Sequence, residues 1–151
     1  KPFHLDQTKC RFEPHVVVIP VGATVEYLNS DTVSHNVHTY PKKNDAMNKT
    51  IAAGSKEVQT YDKTDQIEIK CDIHPWMNSY LIVTDTPYYA VTGADGAFAV
   101  SGLPEGTHKV EYWHEKLGKG KAELTVKADG TAEPLEIKLG EKQGGRGRRR
   151  R

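Results

Sequence analysis

One short stretch of this chain collects residue types that bind a soft metal: Cys71-Asp72-Ile73-His74-Pro75-Trp76-Met77. Its pattern is C-x2-H-x2-M, and a further histidine, His35, lies upstream and is followed by Asn36. One thiolate, two imidazoles and a thioether form a donor set that suits both Cu(I) and Cu(II). The thiolate binds either oxidation state, the imidazoles complete a trigonal plane, and the thioether supplies a weak axial contact that tunes the potential. An ion that keeps its ligands in both states changes charge with little reorganisation. The expected chemistry is therefore one-electron transfer at a single copper ion held by His35, Cys71, His74 and Met77. A mononuclear catalytic site needs an open coordination position; Met77 as a fourth donor argues against one, and the chain is not expected to be an enzyme.

Such a centre needs a rigid frame, and the rest of the sequence reads as one. Short runs rich in Val, Ile and Tyr alternate with turns supplied by 13 Gly and 8 Pro, the pattern of an all-β chain. Residues 1–9 are polar and read as an entry arm. Strand-like runs follow: RFEPHVVVIP, then ATVEYL after a Val21-Gly22 turn, VSHNVHTY after an Asn29-Ser30-Asp31 turn, KEVQTY, QIEIKC and SYLIVTD. Residues 41–50 are polar and read as a loop. Ile67 and Ile69 share one face of their strand, and Cys71 continues it. Three of the four donors thus sit in a short loop between two strands.

The stretch RFEPHVVVIPVGATVEYLNSD with SHNVH resembles the opening strands of plastocyanin-like and amicyanin-like cupredoxins. The Pro-Val-Gly turn before Thr24-Val25-Glu26, the Asn-Ser-Asp turn and the His35-Asn36 pair carry the likeness. CDIHPWM is similar to the short amicyanin-type ligand loop. The resemblance spans roughly residues 10–84. It implies a Greek-key β-sandwich with a blue-copper centre at one end and His74 presenting its outer ring edge to a redox partner. It also implies that Asn36 ties the two ligand loops together by hydrogen bonds.

Cys10 has no place in that ligand set. By the resemblance it falls on a strand beside the metal end, near Cys71, and three outcomes stay open. A Cys10–Cys71 disulfide would consume the thiolate and leave a metal-free structural or binding protein that docks to a larger assembly. A free Cys10 would be a bystander or an oxidation-sensitive neighbour. Cys10 as a ligand would add a second thiolate. His38, next on the strand, is read as an ordinary strand residue, with an extra ligand as the alternative. Trp76 either packs as a lid over the loop or, with Pro75, contacts the partner. His15 reads as a surface or structural residue, His4 lies in the arm, and Met47 lies in the polar loop.

Beyond Asp85 a second pattern runs through YYAVT, GADG, AFAVSGLPEG, THKVEYWHE, KAELTVKADG and LEIKL. It resembles the transthyretin-like, carboxypeptidase-regulatory type of sandwich. The carrying residues are Tyr89-Ala90-Val91-Thr92, Asp95-Gly96-Ala97-Phe98 and Leu103-Pro104-Glu105-Gly106-Thr107-His108-Lys109-Val110. The resemblance implies a smaller antiparallel β-sandwich, its core filled by Phe98, Leu103, Val110 and Tyr112, that serves docking or stability. The expected divisions are 1–85 for the copper domain, 86–140 for the second unit and 141–151 for a tail. That tail, EKQGGRGRRRR, has a net charge of +5 within a chain of net charge +1, which leaves −4 on residues 1–140. With no apolar residue it is expected to be disordered when free and to suit an acidic protein or an anionic surface. The body is not expected to bind nucleic acid specifically. No apolar run is long enough to span a membrane. The chain starts at Lys1 rather than Met and reads as either a processed chain, which would be periplasmic or secreted, or a trimmed one.

Overall fold

The computed structural model describes residues 1–140. It is all-β, with no helix among the described residues, and divides into two compact units, Lys1–Val100 and a second from Ser101 onward.

The first unit is a sandwich of two sheets. One contains β1 (Phe3–Thr8), β2 (Arg11–Glu13), β4 (Ala23–Leu28) and β7 (Lys56–Tyr61), in the order β2-β1-β4-β7. The other contains β3 (Val16–Pro20), β5 (His35–Tyr40), β6 (Asn48–Ile51), β8 (Asp65–Lys70) and β9 (Asn78–Thr84), in the order β3-β9-β8-β5-β6. The β1–β4 and β3–β9 pairs are parallel and the rest antiparallel. The chain changes sheet between Glu13 and Val16, so the run read as RFEPHVVVIP is two strands. Gly22 has φ +86°, a left-handed turn that glycine adopts without steric penalty, and its N–H donates to Tyr61 O at 2.7 Å.

Alternation builds the core. Leu5, Val25, Tyr27 and Tyr61 from one sheet face Ile19, Val37, Ile67, Ile69, Leu81 and Val83 from the other, all buried. Each fully buried aliphatic side chain contributes about 1.5–3 kcal/mol. The Tyr27 and Tyr61 hydroxyls meet in this interior. Tyr61 Oη donates to Gln59 Oε1 at 3.1 Å, so Tyr27 donates to Tyr61. Burial pushes the Tyr61 phenol up to about 12, with Tyr27 pulling down and Asp65 pushing up; burial likewise raises Tyr27.

Two sequence expectations change here. Residues 1–9 are not an arm: β1 is an interior strand, with Leu5 and Gln7 buried. Gln7 concealed the alternation, because a buried amide occupies a core-facing position; its Nε2 donates to Leu28 O at 3.2 Å. Within 41–50, β6 begins at Asn48 and Met47 is buried.

The second unit contains one antiparallel pair, β10 (Gly106–His114) and β11 (Gly118–Val126), running from Gly106 opposite Val126 to His114 opposite Gly118. His114 Nδ1 accepts the N–H groups of Lys116 and Leu117, both at 3.1 Å, and so closes the hairpin. Tyr112 covers Gly120, where a Cβ would lie 2.2 Å from the tyrosine oxygen, so a larger residue there would displace the Tyr112 ring. YYAVT, AFAVS and LEIKL form no strands. Phe98 is exposed rather than part of a core, because no strand pairing holds it inward. The Arg-rich tail lies outside the described residues.

Candidate metal centre

β5 runs antiparallel to β8 with His38 opposite Lys70. The start of β5 and the end of β8 therefore meet at one end of the sandwich, which puts His35 beside Cys71. Cys71 N–H donates to Met77 O at 3.1 Å and Met77 N–H to His74 O at 3.0 Å. These two bonds fold residues 71–77 into a tight loop between β8 and β9.

The candidate donors converge. His35 Nδ1 lies 3.0 Å from His74 Nδ1, and Cys71 Sγ lies 3.7 Å from that same His74 nitrogen. His35, Cys71 and His74 each offer an atom within 4.8 Å of the others. Atoms about 2.0–2.3 Å from one first-row ion sit roughly 3–4 Å apart, so the spacing fits a single metal. His35 is 0% exposed, Cys71 2% and Met77 1%, while His74 is half-buried. His35, Cys71, His74 and Met77 are arranged as a type-1 copper site.

Asn36 is buried and ties β5 to β6 and to the ligand loop. Its Oδ1 accepts Asp72 N–H at 2.5 Å, and its Nδ2 donates to Asn48 Oδ1 at 2.9 Å and Asp72 Oδ2 at 3.1 Å. His38 does not join the donors. Its Nδ1 meets the Asp72 carboxylate at 2.9 Å and its ring stacks on Tyr40 at 4.3 Å. The His38 bond, followed by one from Asn36, outweighs burial and holds the Asp72 carboxyl below its usual range.

The Cys10–Cys71 disulfide does not form; both thiols are free. Cys10 groups with Asp31 and His35, whereas Cys71 groups with His35 and His74. Cys10 is thus absent from the group that joins Cys71 to His74, while its sulfur lies near Asp31 and His35. Trp76 is 64% exposed. Its indole N–H donates to Cys10 O at 3.0 Å and its ring lies 5.1 Å from that of His74. It borders the His74 loop while presenting surface, as does Pro75.

Asp31 was missed. Its Oδ2 accepts from His35 Nε2 at 2.7 Å and Cys10 N–H at 2.8 Å, and its Oδ1 accepts Lys9 N–H at 2.6 Å. The Cys10 bond, joined by those of His35 and Lys9, overcomes burial and lowers its pKa below the usual carboxylate range. The i, i+4 spacing of Asp31 and His35 was the available signal, masked because Asn-Ser-Asp also reads as a turn.

The comparisons agree with this geometry. Residues 3–84 match the family of copper binding proteins of the plastocyanin/azurin type. Among solved structures, the chain is similar to a copper-containing nitrite reductase from Thermus scotoductus SA-01, with 24% identity and a TM-score of 0.54. That match covers 57% of this chain and 23% of the reductase, so the chain spans less than a quarter of it. A methionine-to-alanine variant of amicyanin in its Cu(I) form matches with 21% identity and a TM-score of 0.51, over 55% of this chain and 82% of amicyanin. These likenesses bear on the fold. No curated protein sequence matches the chain, and the second unit is identified by no family. The family match extends over more than half of the sequence and takes in every candidate donor: this chain belongs to the plastocyanin/azurin family of copper-binding proteins.

Proposed function

We propose that this is an extracytoplasmic electron-transfer protein, or a redox subunit, in which His35, Cys71, His74 and Met77 hold one copper ion. The observation that carries this reading is the approach of two imidazole nitrogens to 3.0 Å, with the Cys71 sulfur 3.7 Å from one of them. Copper bound there would supply one-electron exchange between Cu(I) and Cu(II). The residues around it supply rigidity and exclusion of water. His35 is anchored through Nε2, and the loop carrying Cys71, His74 and Met77 is closed by its own backbone and pinned to β5 through Asn36. With Met77 as the fourth donor the function is electron carriage rather than turnover.

The half-buried His74, with exposed Pro75 and Trp76 beside it, forms the contact for a redox partner protein. The Arg-rich tail adds a salt-sensitive attachment to an acidic protein or anionic surface. The second unit, whose strands β10 and β11 form a hairpin rather than the smaller sandwich expected from the sequence, acts as a docking or stabilising module. Periplasmic or secreted location belongs to the same proposal, and fractionation tests it.

Voltammetry of the copper-loaded protein tests the function. A reversible one-electron wave that disappears in Cys71→Ser is expected. An irreversible response, or a wave indifferent to that substitution, would sink the proposal.

A further inference from the structure

We propose that Asp31 is a positioning residue of the metal centre: it fixes His35 with Nδ1 facing Cys71 and His74, and lowers the reduction potential of copper held there. This rests on the electron-transfer reading above. A carboxylate only accepts hydrogen bonds, so a His35 ring in the neutral form that metal binding requires carries its proton on Nε2, facing Asp31 at 2.7 Å. The Nδ1 lone pair is thereby left toward His74 Nδ1 and free to bind a metal. Partners of this kind on the far nitrogen set the tautomer and orientation of a ligand histidine and raise its basicity.

Asp31 is itself held from two directions. Its own N–H donates to Asn29 Oδ1 at 3.0 Å, and its carboxylate receives the successive N–H groups of Lys9 and Cys10. Those residues have φ of 51° and 54°, left-handed conformations that aim neighbouring N–H groups at one anion. The turn between β1 and β2 thus braces the carboxylate that braces His35. Cys10 contributes its backbone N–H to this bracing, a role that does not require its thiol to be a ligand. A fixed negative charge next to a donor ring favours Cu(II) over Cu(I). Asp72, the other carboxylate nearby, is spent on Asn36 and His38 and touches neither candidate imidazole donor through a hydrogen bond.

Two measurements test this. In metal-free protein, long-range 1H–15N NMR should show a neutral His35 ring with its proton on Nε2; a neutral ring with its proton on Nδ1 would overturn the proposal without any variant being made. In copper-loaded protein, Asp31→Asn should weaken Cu(II) binding about tenfold or more and Cu(I) binding less. A tenfold change in that ratio raises the potential by about 59 mV. An unchanged Cu(II)/Cu(I) affinity ratio in Asp31→Asn would contradict the assignment. Cys10→Ala keeps the backbone donor, so it should keep the potential; a shift equal to that of Asp31→Asn would place the effect in the thiol instead. Should wild-type protein show the Nε2 tautomer but no thiolate–copper band, the electron-transfer reading fails while the bracing of His35 by Asp31 stands.

Discussion

Two cysteines in one small chain pose a question of role, and their neighbours answer it. Cys71 is buried 3.7 Å from His74 Nδ1; Cys10 is half-buried on the Asp31 side of His35. Cys71→Ser is therefore expected to abolish the intense visible band of a copper-loaded sample, and Cys10→Ser to leave it in place. Loss of the band in Cys10→Ser would make Cys10 a ligand after all. Met77→Gln exchanges a thioether for an amide at the fourth donor and should shift the visible spectrum of a copper-loaded sample; an untouched spectrum would remove Met77 from the site. Asn36→Ala leaves Asp72 N–H without its acceptor and should cost about 1–3 kcal/mol, read from urea unfolding. The donors were legible because three of them lie within one loop at fixed spacing. Asp31 was not, since an aspartate in a polar turn carries the same local signal whether or not it later meets a ring nitrogen.

The elements act by bringing distant turns together, and one carboxylate shows how. Asp65 opens β8 and gathers the N–H groups of Lys42, Lys43 and Asn44 together with Asn44 Nδ2. Burial pushes this carboxyl up, but the Lys43 and Asn44 donors, with Lys42, outweigh it and hold it at about 2. A depressed folded-state pKa contributes stability above the unfolded value of about 3.9, and that contribution is lost as pH falls through about 2. Asp65→Asn should therefore flatten stability between pH 4 and pH 2. It should also cost on the order of 1 kcal/mol at neutral pH, after allowance for solvent screening. Urea melts of both proteins across that range check the sign; a variant that kept the full acid slope would show that other carboxylates produce it. Strands with clean alternation, such as β4, β8 and β9, were readable from residue pattern. β1 was not, because Gln7 breaks the alternation and its parallel pairing with β4 joins residues far apart in sequence. The division of RFEPHVVVIP into β2 and β3 was hidden for a similar reason: which sheet receives a strand is decided by tertiary packing.

For the whole molecule, the metal and the fold should support each other. A copper ion that binds only the folded state stabilises it by roughly 2.7 kcal/mol when free copper is a hundredfold above Kd. Thermal melts should rise by several degrees on loading and fall back on chelation; coincident melts would mean that no folded-state site is being filled. The second unit carries no cluster of metal-binding side chains among the described residues, so the rise should come from the first unit alone. Its two-stranded sheet also marks where sequence reading stopped short. Turn residues such as Asp95-Gly96 were identifiable, but whether the flanking segments pair into strands depends on partners that local pattern does not specify. The central claim, that His35 at the start of β5 and three side chains of one loop form one copper site, is tested most directly by the visible spectrum of the protein after Cu(II) is added and before any reductant. An intense blue or green thiolate-to-copper band that bleaches with ascorbate is the predicted result. A protein with both thiols free that shows no such band would contradict it.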